Sequence, residues 1–73
     1  MKELWSEFKQ ERNNQIDGRN VWLWLCETPI GDISIVQYEE KEEYITTMTF
    51  YNDKIKAEKK FEQICLKIVK GTL

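Results

Sequence analysis

The stretch KIKAEKKFEQICLKIVK, from Lys54 to Lys70, decides the fold of this chain. Apolar residues recur in it at the three- and four-residue spacing of a helix that has one buried side. The residues of this stripe are Ala57, Phe61, Ile64 and Ile68. Asn52 or Asp53 can accept hydrogen bonds from the free N–H groups at the helix start, and Gly71 suits the position after its end. The pattern predicts a long amphipathic helix that packs on a sheet.

Three β-strands are predicted before this helix. Residues 21–26 contain no charged residue and are rich in residues that favour strands. Residues 28–32, Thr-Pro-Ile-Gly-Asp, predict a hairpin with a type I turn and a bulge, so that residues 33–38 form a second, antiparallel strand. Residues 39–43 carry four glutamates and predict a solvated connection to a third strand over residues 44–50.

The amino-terminal residues 2–12 place Leu4, Trp5 and Phe8 at helical spacing among charged residues. This pattern predicts a short amphipathic helix, which residues 13–18, a cluster of turn formers, bring to an end. The predicted fold is therefore α+β in the order α-β-β-β-α. It is a three-stranded antiparallel meander with the C-terminal helix packed on one face, and residues 1–73 are expected to form one small domain.

Alternation along the strands divides the side chains between the two faces of the predicted sheet. On the side of the long helix we expect Val21, Leu23, Leu25, Ile33, Ile35, Met48 and Phe50. On the other side we expect Trp22, Trp24, Val36, Tyr38, Ile45, Thr47 and Thr49. If both helices pack on one side, Trp22, Trp24 and Tyr38 form an exposed surface for a partner protein or a second copy. If the first helix covers this face, both tryptophans belong to the core.

Charge is distributed unevenly along the chain. Residues 1–45 hold ten carboxylates and five Lys or Arg residues, whereas residues 46–73 hold three carboxylates and six lysines. The net charge of −2 disfavours strong general affinity for nucleic acid or anionic lipid. Four loop glutamates could instead stand where phosphates would bind in a basic channel of a partner. They are Glu39, Glu40, Glu42 and Glu43.

The composition gives no sign of catalytic chemistry. The chain has no histidine, so the commonest general base at neutral pH and the usual nucleophilic triads are missing. Glutamates in a hydrated loop are not desolvated as acid–base catalysis requires, and they lack the spacing of a calcium loop. The three glycines are isolated and form no phosphate-binding loop. We therefore predict no catalytic residues, no metal ligands and no cofactor.

The cysteines and the lack of a long apolar run indicate the cellular compartment of the protein. Cys26 and Cys65 each sit in an apolar pattern and are predicted to be core residues in a reducing compartment. No apolar run approaches the roughly 20 residues that a membrane-spanning helix needs, and no apolar signal segment follows Met1. We expect a cytoplasmic protein without membrane contact.

The α-β-β-β-α order in 73 residues resembles that of a double-stranded-RNA-binding domain. Residues 54–60, KIKAEKK, also resemble the basic start of the second helix in that family. The resemblance implies that four lysines contact phosphates across a groove of duplex RNA. They are Lys54, Lys56, Lys59 and Lys60. The Gly-Pro-His type loop of the family is replaced here by residues 28–31, which contain no histidine.

Three functions stay open at the level of sequence. The leading one is a non-enzymatic protein-binding module that occupies a surface of a larger protein, which could itself handle nucleic acid. Regulators and inhibitors carried by phages and mobile elements are often small acidic domains of this kind. The second is nucleic-acid binding through the basic start of the C-terminal helix, and the third is a structural homo-oligomer.

Overall fold

The computed structural model describes residues 7–42 and 45–73. Its elements are β1 (Lys9–Ile16), β2 (Arg19–Thr28), β3 (Gly31–Glu39), β4 (Thr46–Tyr51) and α1 (Lys54–Lys70). The four strands form one antiparallel sheet in the order β1-β2-β3-β4. The α+β class, the antiparallel sheet and the C-terminal helix are confirmed, but the sheet has four strands where the sequence predicted a three-stranded meander.

β1 occupies residues that the sequence assigned to an amino-terminal helix and to the turn after it. The helix prediction is wrong for residues 9–12, which belong to β1, and its residues 2–6 lie outside the described part of the chain. Asp17 and Gly18 join β1 to β2 with φ angles of 52° and 75°. Positive φ at both positions is the signature of a type I′ hairpin turn, for which Asp-Gly is a favoured sequence.

The extra strand also changes the element order. The described residues run β-β-β-β-α, so they do not contain the α-β-β-β-α order on which the resemblance to double-stranded-RNA-binding domains was based. The polar sequence of β1 is compatible with its position, because a strand at the edge of a sheet can expose charged residues on one side.

α1 begins and ends where the sequence predicted. The Asp53 carboxylate caps it by accepting hydrogen bonds from the N–H groups of Ile55 at 2.9 Å and Lys56 at 3.3 Å. The helix ends at Lys70, and Gly71 follows in the left-handed conformation with a φ of 74°. The buried residues of the helix are those of the predicted stripe, Ala57, Phe61, Ile64 and Ile68. No helix in the described ranges is long and apolar enough to cross a membrane.

The β2–β3 hairpin sets a register that the sequence did not predict. Only Pro29 and Ile30 lie between the strands, and Thr28 pairs with Gly31. A type I turn with a bulge holds one more residue, and a slip of one residue moves every following side chain to the opposite face. Leu23 consequently lies opposite Val36.

Side chains of β3 and β4 therefore lie on the faces opposite to those predicted. The helix side carries Val36, Tyr38, Thr47 and Thr49, which were expected on the far side. The side away from α1, here called the distal face, carries Ile33, Ile35, Met48 and Phe50, which were expected under the helix. β2 follows the prediction, with Val21 and Leu23 under α1 and Trp22 and Trp24 on the distal face.

The core consists of two clusters on opposite sides of the sheet. Under α1, the helix stripe packs on Val21, Leu23 and Val36. On the distal face, Phe8 packs on Cys26 and Ile35, and all three are buried. The centre of β3 is therefore covered on both faces. This explains why its three middle residues, Ser34, Ile35 and Val36, are all buried although successive side chains point to opposite faces.

Candidate functional site

The distal face carries large apolar side chains beyond the part that Phe8 covers. Trp22 lies opposite Gln37, which in turn lies opposite Met48, and the next row contains Trp24, Ile35 and Phe50. Both tryptophans are half-buried, whereas the side chains of Met48 and Phe50 are 40% and 59% exposed. We call Trp22, Trp24, Met48 and Phe50 the distal patch.

Hydrogen bonding and packing fix one tryptophan of the distal patch. The indole Nε1 of Trp24 donates a hydrogen bond to Oε1 of Gln37 at 3.0 Å. Trp24 also packs against the cluster of Phe8, Cys26 and Ile35. Phe8 thus covers part of this face, while Trp5 lies outside the described residues.

Tyr38 does not belong to the predicted aromatic surface. Because of the register of β3, it lies on the helix side, half-buried against the cluster under α1. The predicted grouping of Tyr38 with Trp22 and Trp24 is therefore wrong. Met48 and Phe50 accompany the tryptophans instead. The length of the β2–β3 loop determines which β3 residues share a face with β2. A loop of two residues therefore indicates that Tyr38 lies on the opposite face from Trp22 and Trp24.

The glutamates of the β3–β4 connection are partly engaged within the protein. Oε1 of Glu39 accepts hydrogen bonds from the backbone N–H of Asn20 at 2.6 Å and from its side-chain Nδ2 at 2.9 Å. Oε2 of Glu40 accepts a hydrogen bond from the hydroxyl of Thr47. Glu42 is exposed, and Glu43 lies outside the described residues. Glu39 thus links the β3–β4 connection to β2, and Glu40 links it to β4. Both residues lie at the end of the sheet that is far from Asp53, the start of α1.

The predicted basic cluster divides into two parts. Nζ of Lys54 lies 3.1 Å from Oε1 of Glu11, and this hydrogen bond, together with the negative charge of Glu11, raises the pKa of Lys54 above 10.5. Lys56, Lys59 and Lys60 form no ion pair with any described residue. Lys54 is therefore tied to β1, and the other three lysines are available to a ligand.

Two further lysines extend this group along α1. Lys67 follows Lys60 by seven residues and Lys70 follows Lys59 by eleven, spacings that keep each pair on one side of a helix. Neither forms an ion pair with a residue in the described ranges. We call these five residues the lysine flank: Lys56, Lys59, Lys60, Lys67 and Lys70.

Contacts on the opposite side of α1 show which strand the lysine flank accompanies. Three polar contacts join this side of α1 to β1: Lys54 contacts Glu11, Glu62 lies 3.6 Å from Arg12, and the Sγ of Cys65 accepts a hydrogen bond from Asn14 at 3.5 Å. The stripe facing the sheet separates this side of the helix from the lysine flank. Since β1 and β4 are the two edges of the sheet, Lys56, Lys60 and Lys67 lie on the β4 side, whereas Lys59 and Lys70 lie on the side of α1 that points away from the sheet.

The two edge strands differ in how they are protected against pairing with another chain. β1 carries Lys9, Glu11 and Arg12, and its register shifts between Gln10 and Arg12, so that Glu11 is an extra residue. Charges and bulges of this kind are common protections of an edge strand. β4 reads TTMTFY, with no charge, no proline and no shift in its register with β3.

Other chemistry is sparse in the described part of the chain. No group of three or more Cys, Asp or Glu side chains there could hold a metal ion. Cys26 is a buried free thiol and Cys65 a half-buried one. Comparisons with protein-family models, curated proteins and solved structures find no match to this chain.

Proposed function

We propose that this protein is a non-enzymatic protein-binding module that occupies a surface of a larger protein through its distal patch. One observation carries the proposal: four large apolar side chains share the sheet face that α1 leaves uncovered. Antiparallel sheets with one solvated face usually place polar residues there. Aromatic residues and methionine are enriched at the centres of protein interfaces, where they provide large contact areas.

Such a module acts by steric occupation, so its role is that of a regulator or inhibitor. Small domains of this type are often carried by phages and mobile elements. Of the glutamates in the β3–β4 connection, Glu42 is exposed and available to a basic surface on the partner, which suits a partner that handles nucleic acid. Glu39 and Glu40 contribute less to such a contact, because they hold hydrogen bonds within the protein.

The test compares two pairs of exposed apolar residues. Met48→Ser with Phe50→Ser removes the exposed half of the distal patch. Leu66→Ser with Val69→Ser is the matched control, since these two side chains are 53% and 64% exposed on α1. Circular dichroism first establishes that both variants fold. Each protein is then used for affinity capture from native lysate treated with nuclease, and captured proteins are quantified by mass spectrometry.

We expect one protein to be retained by the wild type and by the Leu66/Val69 variant, and to be lost with the Met48/Phe50 variant. Titration of that purified protein should then shift the tryptophan emission to shorter wavelength and reduce its quenching by iodide, because Trp22 becomes covered. Equal capture by both variants would remove the distal patch as the interface.

Nucleic-acid binding is the second candidate, and it is favoured by the lysine flank, which forms no ion pair with a described residue. If it holds, a mobility-shift assay with duplex RNA or DNA gives an association constant whose logarithm falls linearly with the logarithm of the salt concentration. Lys56→Glu with Lys60→Glu should abolish the shift. The absence of a shift at low salt would end this candidate. Homo-oligomerisation, the third, is measured by light scattering at several protein concentrations.

A further inference from the structure

We infer that the free edge of β4 binds an extended segment of a partner protein as a fifth strand, and that this segment alternates acidic and apolar residues. The inference rests on the proposed function in that both assign a protein partner. It concerns the β4 edge beside the lysine flank, which shares Met48 and Phe50 with the distal patch, and the peptide experiments below test it separately from the capture experiment.

The first step is the unprotected character of β4. No strand among the described residues pairs with its outer edge, and its backbone there offers N–H and C=O groups to a further strand. Residues Thr46–Tyr51 are β-branched, aromatic or methionine, and most of their side chains are exposed. Addition of a strand to such an edge is a recurring mode of peptide recognition, in which the backbone supplies affinity and alternate side chains supply specificity.

The second step is the difference between the two sides of this edge. On the helix side, an added strand would lie next to Thr47 and Thr49 and beneath the part of the lysine flank that lies on the β4 side. On the distal side it would lie next to Met48 and Phe50. Because successive side chains of a strand point to opposite faces, alternate residues of the segment meet positive charge and apolar surface in turn. Acidic residues suit the first environment, and aliphatic residues suit the second.

The third step is a match in dimensions. Six residues of β4 extend for about 17 Å, and side chains on one face of a strand repeat at about 6.8 Å. Lys56 and Lys67 are separated by about 16 Å along the helix axis, and Lys56 and Lys60 by about 6 Å, at the helical rise of 1.5 Å per residue. Neighbouring acidic residues on one face of the added strand can therefore reach successive lysines.

The lysine flank also argues against a second copy of the chain as the occupant. If two β4 strands paired in antiparallel fashion, two-fold symmetry would bring the lysine flanks of both copies to the same side of the joined sheet. Like charges facing each other disfavour that pairing, whereas an acidic segment neutralises them. The charges thus favour a different partner over self-association.

The first experiment uses synthetic peptides with the full chain. The probe is a fluorescein-labelled octapeptide of alternating Glu and Val, and binding is measured by fluorescence anisotropy at low salt. We expect saturable binding that weakens with salt, and slower hydrogen exchange of the β4 amides in the complex. Two control peptides should not bind: one that alternates Lys and Val, and one with the order Glu-Glu-Val-Val repeated.

Backbone methylation tests strand pairing directly. In a strand, the N–H groups of all Glu residues point to one edge and those of all Val residues to the other. N-methylation of one set should therefore abolish binding, and N-methylation of the other set should be tolerated. Binding that survives both would exclude a fifth strand on β4.

A charge exchange tests the lysine flank. Lys56→Glu with Lys60→Glu should weaken binding of the Glu/Val peptide by about tenfold or more and allow the Lys/Val peptide to bind. The matched control, Lys9→Glu with Gln10→Glu and Gln15→Glu, makes the same change in net charge on β1, at the opposite edge of the sheet, and should bind like the wild type.

Three outcomes would overturn the inference. One is equal loss of binding in both charge variants, which would assign the effect to net charge alone. Another is a concentration-dependent dimer in light scattering that Thr49→Lys dissociates, which would assign the β4 edge to a second copy. The last is binding of duplex RNA by the lysine flank with no binding of the Glu/Val peptide. If the peptide fails while the Met48/Phe50 variant still loses its captured protein, the proposed function stands and only this inference falls.

Discussion

The guanidinium carbon of Arg12 lies 4.5 Å from the centre of the Phe61 ring. Phe61 is fully buried at the middle of the helix stripe, and Arg12 belongs to β1, the strand that the sequence did not predict. The cation therefore covers an aromatic ring that would otherwise meet water at the edge of the core. A strand without apolar residues before Ile16 is thus held to α1 by cationic and polar side chains.

Arg12→Ala should lower the free energy of unfolding by about 1 kcal/mol, because it removes the cation–π contact and the cover over Phe61. The ion pair of Arg12 with Glu62 is exposed, so Glu62→Gln should cost only a few tenths of a kcal/mol, roughly 0.3. Both effects are measured by urea unfolding, with Lys9→Ala as the control on the same strand. An Arg12→Ala value equal to that of Lys9→Ala would contradict the stabilising contact.

The turn between β1 and β2 supplies a second prediction. Gly18 has a φ of 75°, and no atom lies within 4 Å of the position that a Cβ would take. Gly18→Ala should therefore lower the free energy of unfolding by about 1 kcal/mol or somewhat more, because alanine disfavours this backbone conformation and not because of a steric clash. Gly18→Asn should cost less, since asparagine tolerates the left-handed region. Urea unfolding of the two variants is the measurement, and equal stability of Ala and Asn at this position would refute the type I′ turn.

The C-terminal helix could be predicted from the sequence because its signals are local. The spacing of Ala57, Phe61, Ile64 and Ile68 reports one buried side without reference to any other element. Asp53 and Gly71 act on backbone groups within a few residues of themselves, so their roles as caps also follow from the sequence nearby.

β1 could not be found from periodicity, because Arg12 and Asn14 face the helix with polar groups where a strand usually places apolar ones. The residues that do report it are Asp17 and Gly18, a dipeptide that favours a hairpin as well as the end of a helix. The face assignment of β3 failed for another reason: both Ile35 and Val36 are apolar, so only the loop length distinguishes the two registers.

The candidate surfaces were predicted in part. Trp22 and Trp24 lie away from α1 as expected, but their neighbours Met48 and Phe50 depend on the register, which the sequence left open. The lysines of α1 were visible in the sequence, but their division depends on tertiary contact. Lys54 is bound by Glu11 only because β1 lies beside the helix.

The helix stripe supplies a third prediction, on packing. Ile68→Val removes one methylene from a buried side chain and should lower the free energy of unfolding by about 1 kcal/mol. Val69→Ala, one residue further along α1, removes more atoms from an exposed side chain and should change it by less than about 0.5 kcal/mol. Thermal and urea unfolding of the pair provide the measurement. If Val69→Ala lowered the free energy of unfolding more than Ile68→Val does, the outward side of α1 would have to be covered.

The ion pair of Lys54 with Glu11 supplies a prediction on pH. The hydrogen bond from Lys54 to Glu11, followed by the attraction of the carboxylate, raises the pKa of the folded-state ammonium above 10.5. The folded protein therefore holds this proton more tightly than the unfolded chain does, and the stabilisation is fully present below the unfolded-state pKa. It should be lost as pH rises through the higher pKa of the folded state.

Lys54→Gln removes this contribution. The difference in unfolding free energy between the wild type and Lys54→Gln should thus be constant from neutral pH up to the ordinary lysine value of 10.5 and should shrink at higher pH. Chemical unfolding over that pH range measures it, and the ionisation of tyrosines cancels because both proteins contain the same ones. Lys59→Gln, which breaks no ion pair with a described residue, should show little difference at any pH. A Lys54→Gln difference that grows at alkaline pH would place the stabilising proton elsewhere.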